Sequence, residues 1–191
     1  MSTSTPPLAQ FAESLEEREF LDGLADTLDG VADAVFATDA IYEVFTTEQL
    51  GAPLHPAMVH VPIGGAITAL ALELLGGGKL TSATSIATGL TVLGALPAAV
   101  AGLADFTDAE DPGFRRVAAA HAHVNIAGTA LALASLITRL SGSRGWPRLL
   151  LMGAVGAYGL GGLLGGHMVY GMAETEVDEL DVEDYFALDD D

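Results

Sequence analysis

The chain contains no cysteine, and of its 191 residues only seven are basic, six Arg and the single Lys79. Without thiols there are no disulfides, no thiolate metal sites, no ordinary iron-sulfur ligation and no thiol catalysis. With 26 acids against those seven cations and a net charge of −19, the chain lacks the clustered Lys and Arg that track phosphates, which excludes nucleic acid as a partner. The N-terminal stretch MSTSTPPLAQFAESLEERE has neither a basic region nor an apolar core of the kind a secretory signal carries. No phosphate loop, Ser-His-Asp order or carboxylate pair points to soluble catalysis.

What is present comes in blocks. Half of the residues are hydrophobic, yet the acids collect between and beyond long uncharged stretches instead of alternating with apolar positions. Four runs stand out, at 57–76, 83–104, 117–138 and 149–172, and the last three hold no Asp, Glu, Lys or Arg. At ~1.5 Å per residue each is long enough to cross a hydrocarbon core of ~30 Å. The connections are short, so consecutive helices are antiparallel neighbours. The predicted fold is all-α: an integral membrane four-helix up-down bundle over residues 51–173, preceded by an acidic amphipathic helical segment (1–50) and followed by an acidic, disordered tail (174–191). The acid excess fits a surface kept hydrated in high salt, as in halophilic microbes.

The loops set an orientation. The first and third carry Lys79, Arg139, Arg144 and Arg148 without an acid, whereas the second, at 105–116, ends in Arg115 and Arg116. The basic bias predicts that loops one and three lie on the cytoplasmic side of a cell membrane and that both termini, with the second loop, lie on the external side. In the N-terminal segment Leu8, Phe11, Leu15, Leu21, Leu24, Leu28, Val31 and Val35 recur at helical steps interrupted by Gly23 and Gly30. Its polar face holds only Arg18 as a cation, unlike a membrane-surface helix, so it is expected over the bundle mouth or on a protein partner. In the fourth run Gly153, Ala157, Gly161 and Gly165 form a small-residue stripe, flanked by Gly162 and Gly166. Such a stripe allows close helix packing, or leaves room for a flat cofactor.

Alternating direction brings the ionisable residues of the spans to one end. His55 and His60 open the first helix, Asp105 closes the second, His121 and His123 open the third, and His167 lies near the end of the fourth. Ionisable groups at membrane depth are costly, so a layer of them is a candidate site. His121 and Asn125, four apart, share a helix face that His123 does not. Three readings stay open. The layer binds heme b through two imidazoles, with His60, His121, His167 and Asn125 nearby and Arg115 or Arg116 on the propionates. Or His55, His60, Asp105, His121 and His167 hold a single transition metal. Or the groups cap helices and hydrogen-bond across the bundle without a ligand.

The segments LHPAMVHVPIG, LPAAVAGLAD, RRVAAAHAHVN and GGHMVYGM, in that order, resemble the signatures of the membrane family catalogued as domain of unknown function 2231. The likeness covers residues 52–172, and His55, Pro56, Asp105, His121, Asn125 and His167 fall on its recurrent positions. His60 matches one form of the first signature, and His123 looks private to this chain. The resemblance implies a membrane domain of the kind sometimes joined to a Rieske domain, which is absent here. It thereby implies a redox component with a partner protein in the bilayer. A non-catalytic membrane scaffold or assembly subunit engaging a partner through its acidic termini is the alternative, and a homo-oligomer is compatible with either.

Overall fold

Four stretches of this chain can satisfy their backbone only within themselves once they enter hydrocarbon, and all four are helical. The computed structural model describes residues 6–46, 54–76, 78–143 and 145–172. The tail expected to be disordered at 174–191 lies outside the described residues. Among them the candidate spans run Leu54–Gly76, Thr81–Thr107, Pro112–Leu140 and Trp146–Gly171, with mean hydropathy from 1.3 to 1.8. They overlap the predicted runs and extend most of them by a few residues.

Before the spans come three short helices, α1 (Pro7–Glu16), α2 (Asp22–Val35) and α3 (Asp39–Phe45). The first span is broken in two, α4 (Leu54–Met58) and α5 (His60–Gly76). Pro62 explains the break, since it cannot donate to the carbonyl of Met58 and its ring crowds that carbonyl. The remaining spans are α6 (Thr81–Thr107), α7 (Pro112–Leu140) and α8 (Trp146–Gly166), the last continued by a π-helical turn at His167–Gly171. Asp111 starts α7 as its cap, accepting the Phe114 amide at 2.6 Å, with Pro112 at the first helical position.

The four spans pack in a ring, α5 on α6, α6 on α7, α7 on α8 and α8 back on α5, with the α7–α8 seam the most extensive. Its interior is built from small residues: Ala66, Ala69, Ala101, Ala132 and Ala154 are buried, and so are the hydroxyls of Thr84, Thr88, Thr91 and Ser135. The large residues point outward, among them Leu75, Ile86, Leu93, Leu96 and Leu149. That inversion is what lipid demands, because tails solvate leucine while close backbone approach supplies the dispersion contacts between helices.

The N-terminal helices form a lid across one end of the ring. Ala25 and Leu28 of α2 pack against Phe106, Ala118 and Ala119, while Ala12 of α1 packs against Val117 and Leu164. Two arginines bolt the lid down. Arg115 grips both carboxylate oxygens of Asp29 at 2.7 Å, donates to the carbonyl of Ala109 and lies 4.3 Å from the Phe106 ring centroid. Arg116 clasps Asp22 and donates to the Glu16 carbonyl at 2.9 Å. Asp22, Asp29 and Glu16 therefore have internal work. The Asp22 carboxyl is held below the usual carboxylate range, chiefly by the hydrogen bond from Arg116 against a smaller opposing effect of desolvation.

Candidate functional site

Beneath the lid, the starts of α4 and α7 meet the ends of α6 and α8, and two histidines meet there. His55 places its Nδ1 2.7 Å from the Ala98 carbonyl of α6, and His121 places its own 2.8 Å from the Gly161 carbonyl of α8. The rings touch edge to face, with centroids 6.0 Å apart and planes 75° apart. In each case a glycine four residues past the accepting carbonyl makes the notch. A Cβ on Gly102 would lie 2.7 Å from His55 Nδ1, and one on Gly165 would lie 3.2 Å from His121 Cε1. The same construction, an imidazole hung on a carbonyl and seated in a glycine notch, is used once in each helical hairpin.

A carbonyl can only accept, so each of these Nδ1 atoms carries the proton and each Nε2 keeps its lone pair. Asn125, one turn beyond His121, approaches that Nε2 at 3.2 Å and bonds the His121 carbonyl at 2.8 Å. Its side chain fills the space above Gly161, where a Cβ would come within 2.5 Å of it. Asp105, part-buried at the end of α6, lies within electrostatic reach of His55 and Asp108.

The other predicted site residues go elsewhere. His60 is exposed and rests on the Ala57 carbonyl of its own segment at 3.2 Å. His123 bonds the Ala119 carbonyl of its own helix at 2.8 Å. His167 turns to the lid, with Nε2 2.6 Å from Glu16 Oε1. Arg115 and Arg116 are engaged by Asp29 and Asp22. The set of His55, His60, Asp105, His121 and His167 is thus not gathered: among the described residues no three His, Asp or Glu side chains converge as metal ligands. Glu16 is the member of this end that sequence reasoning missed. It belongs to the segment before the spans, and nothing in its spacing ties it to a residue 151 positions later.

The α8 stripe has two uses. Gly153 and Ala157 take Leu131 and Gly128 of α7 in ordinary helix packing, whereas Gly161 and Gly165 seat Asn125 and His121. Gly162 and Gly166 face open space.

A bundle of four apolar spans, with an imidazole from each helical hairpin paired under a lid at one end, defines a multi-pass membrane protein. Residues 51–177 match the family described as predicted membrane protein (DUF2231), and this chain belongs to that family. No curated protein and no solved structure matches it.

Proposed function

We propose that this protein is a membrane-embedded redox component that holds one transition-metal ion between His55 and His121 and exchanges electrons with a partner protein. The observation that carries the reading is the matched seating of the pair: both Nδ1 atoms are committed to backbone carbonyls, 2.7 and 2.8 Å away. That pattern leaves the Nε2 lone pair of His55 for a ligand, and that of His121 once a metal displaces the Asn125 amide 3.2 Å from it, and it is the outer-shell support that metal-binding histidines use. With metal–nitrogen bonds of about 2.0–2.1 Å, two imidazoles on one ion hold their centroids roughly 5 to 6.5 Å apart, according to the angle between them. The observed 6.0 Å falls inside that interval.

Imidazole suits copper and iron as well as zinc. A bare ion fits these surroundings better than heme b. The notches at Gly102, Gly161 and Gly165 are filled by the chain's own side chains, and the arginines that would pair with propionates are held by Asp22 and Asp29. Electron transfer is supported by the resemblance to membrane domains that occur beside Rieske domains, and the Lys and Arg distribution supports the lidded end facing outward. A scaffold engaging partners through its acidic N-terminal segment is less favoured, because that segment spends three of its acids on its own bundle.

The test is metal analysis and absorption spectroscopy on protein purified from a metal- and heme-replete host. About one ion per chain is expected, lost in His55→Ala and His121→Ala and retained in His60→Ala and His123→Ala. A metal-free, colourless wild type, or loss of metal from His60→Ala as complete as from His121→Ala, would refute it.

A further inference from the structure

At the opposite end of the ring, one charged side chain is buried with two of its three nitrogens unpartnered among the described residues. Arg139, the penultimate residue of α7, reaches across the ring to Glu73 of α5 and donates from Nη1 to Oε2 at 2.7 Å. Only 7% of its side chain is exposed, and its Nε and Nη2 are enclosed without a hydrogen-bond partner. Buried donors on a charged group are seldom left so, because the desolvation cost stands uncompensated.

The unused edge is the one with a recognised shape. Nε and Nη2 of a guanidinium point the same way and together match two oxygens of one oxyanion. In this chain Arg116 uses that edge to clasp both oxygens of Asp22, at 2.6 and 3.1 Å. Arg139 presents the same fork, and among the described residues none fills it. In the sequence of the segments that close this end, 73–81 and 138–148, Glu73 is the one acid, against Lys79, Arg139, Arg144 and Arg148. The α8 N-terminus is close by, since Ser135, one turn above Arg139, donates to the Pro147 carbonyl at 2.7 Å. That terminus has no side-chain cap, so its first amides also favour an anion. Trp146, 67% exposed beside it, marks the depth at which aromatic residues meet lipid headgroups.

We infer that the Nε/Nη2 fork of Arg139 is an oxyanion site that takes a phosphate group, delivered by a phospholipid headgroup or as free phosphate, at the end of the bundle away from the histidines. The site is independent of any metal at His55 and His121.

Delipidated protein in a phosphate-free detergent is titrated separately with inorganic phosphate, with phosphatidylglycerol and with diacylglycerol, and the melting temperature is followed. Phosphatidylglycerol is expected to raise the wild-type melting temperature by several degrees and diacylglycerol is not. Arg139→Lys, which keeps the charge and loses the fork, should need at least tenfold more phosphatidylglycerol for the same rise. If inorganic phosphate reproduces the effect, the free anion is a ligand; if only the lipid does, the headgroup is. Equal responses to phosphatidylglycerol and diacylglycerol, no response to either phosphate source, or an unchanged response in Arg139→Lys overturns the assignment. Should Arg139→Lys not fold, native mass spectrometry of the wild type decides. One phosphate-bearing adduct per chain is expected, and a bare chain overturns the site.

Discussion

Gly161 and Gly162 are neighbours in one apolar helix, and a single methyl on each should have opposite consequences. On Gly161 the new Cβ would lie 2.5 Å from both Nδ2 and Oδ1 of Asn125 and 2.8 Å from its Cγ. No real Cβ tolerates those distances, so Asn125 must leave its seat or α8 must move away from α7. Overpacking of this kind costs about 1–3 kcal/mol. Displacing Asn125 also sacrifices its hydrogen bond to the His121 carbonyl, worth about 0.5–1.5 kcal/mol net. Gly161→Ala is therefore expected to destabilise the bundle by roughly 2–4 kcal/mol. At Gly162 the methyl meets nothing within 4 Å, and the higher helix propensity of alanine makes Gly162→Ala neutral or stabilising by up to about 1 kcal/mol. The assay is reversible unfolding in mixed micelles, followed by Trp146 fluorescence and helical circular dichroism. Equal destabilisation by the two substitutions would refute the claim that the glycine seats Asn125.

Further expectations concern the lid and the buried hydroxyls. Asp29→Ala removes the bidentate partner of Arg115, and because the aspartate is 46% exposed the loss should be only about 1 kcal/mol, read as roughly fivefold faster hydrogen exchange across residues 6–46. The Asp22 carboxyl is lowered in the folded protein from its usual 3.8, so its contribution to docking is complete above that pH and is lost as the pH falls through the lower folded value. Limited proteolysis should accordingly find the Asp22 contact intact at pH 5 to 7 and weakened only in stronger acid, with Asp22→Asn lacking that acid response. Ser135→Ala deletes a fully buried donor to the Pro147 carbonyl and should cost about 1 kcal/mol in the same unfolding assay, with the lid unaffected.

Much of the fold was legible, and so was part of the candidate site. Uncharged runs announced the spans, and short loops announced their alternation. Pro62 splits the first span, which hydropathy alone does not reveal. The one-ended histidine layer followed from topology. Its internal pairing did not: His55 and His121 meet, His60 rests on its own segment, and His167 leaves the layer for Glu16. Arg115 and Arg116, credible propionate partners on spacing, are claimed by Asp29 and Asp22 from a segment whose docking no periodicity specifies.

By itself the sequence determined how many times the chain crosses, in what alternation, and at which end the imidazoles gather. Those properties are one-dimensional, set by the cost of placing charge and unpaired backbone in hydrocarbon. Only the tertiary structure decided how each helix is rotated about its axis, and hence which histidines meet, which glycines become seats and which arginine is left with an open fork. In water an amphipathic stripe announces that rotation. Here lipid is as apolar as the bundle interior, so the spans carry leucine outside and alanine, glycine and threonine inside with little contrast between the faces. Rotation is then settled by shape and by a few hydrogen bonds between residues far apart in the chain.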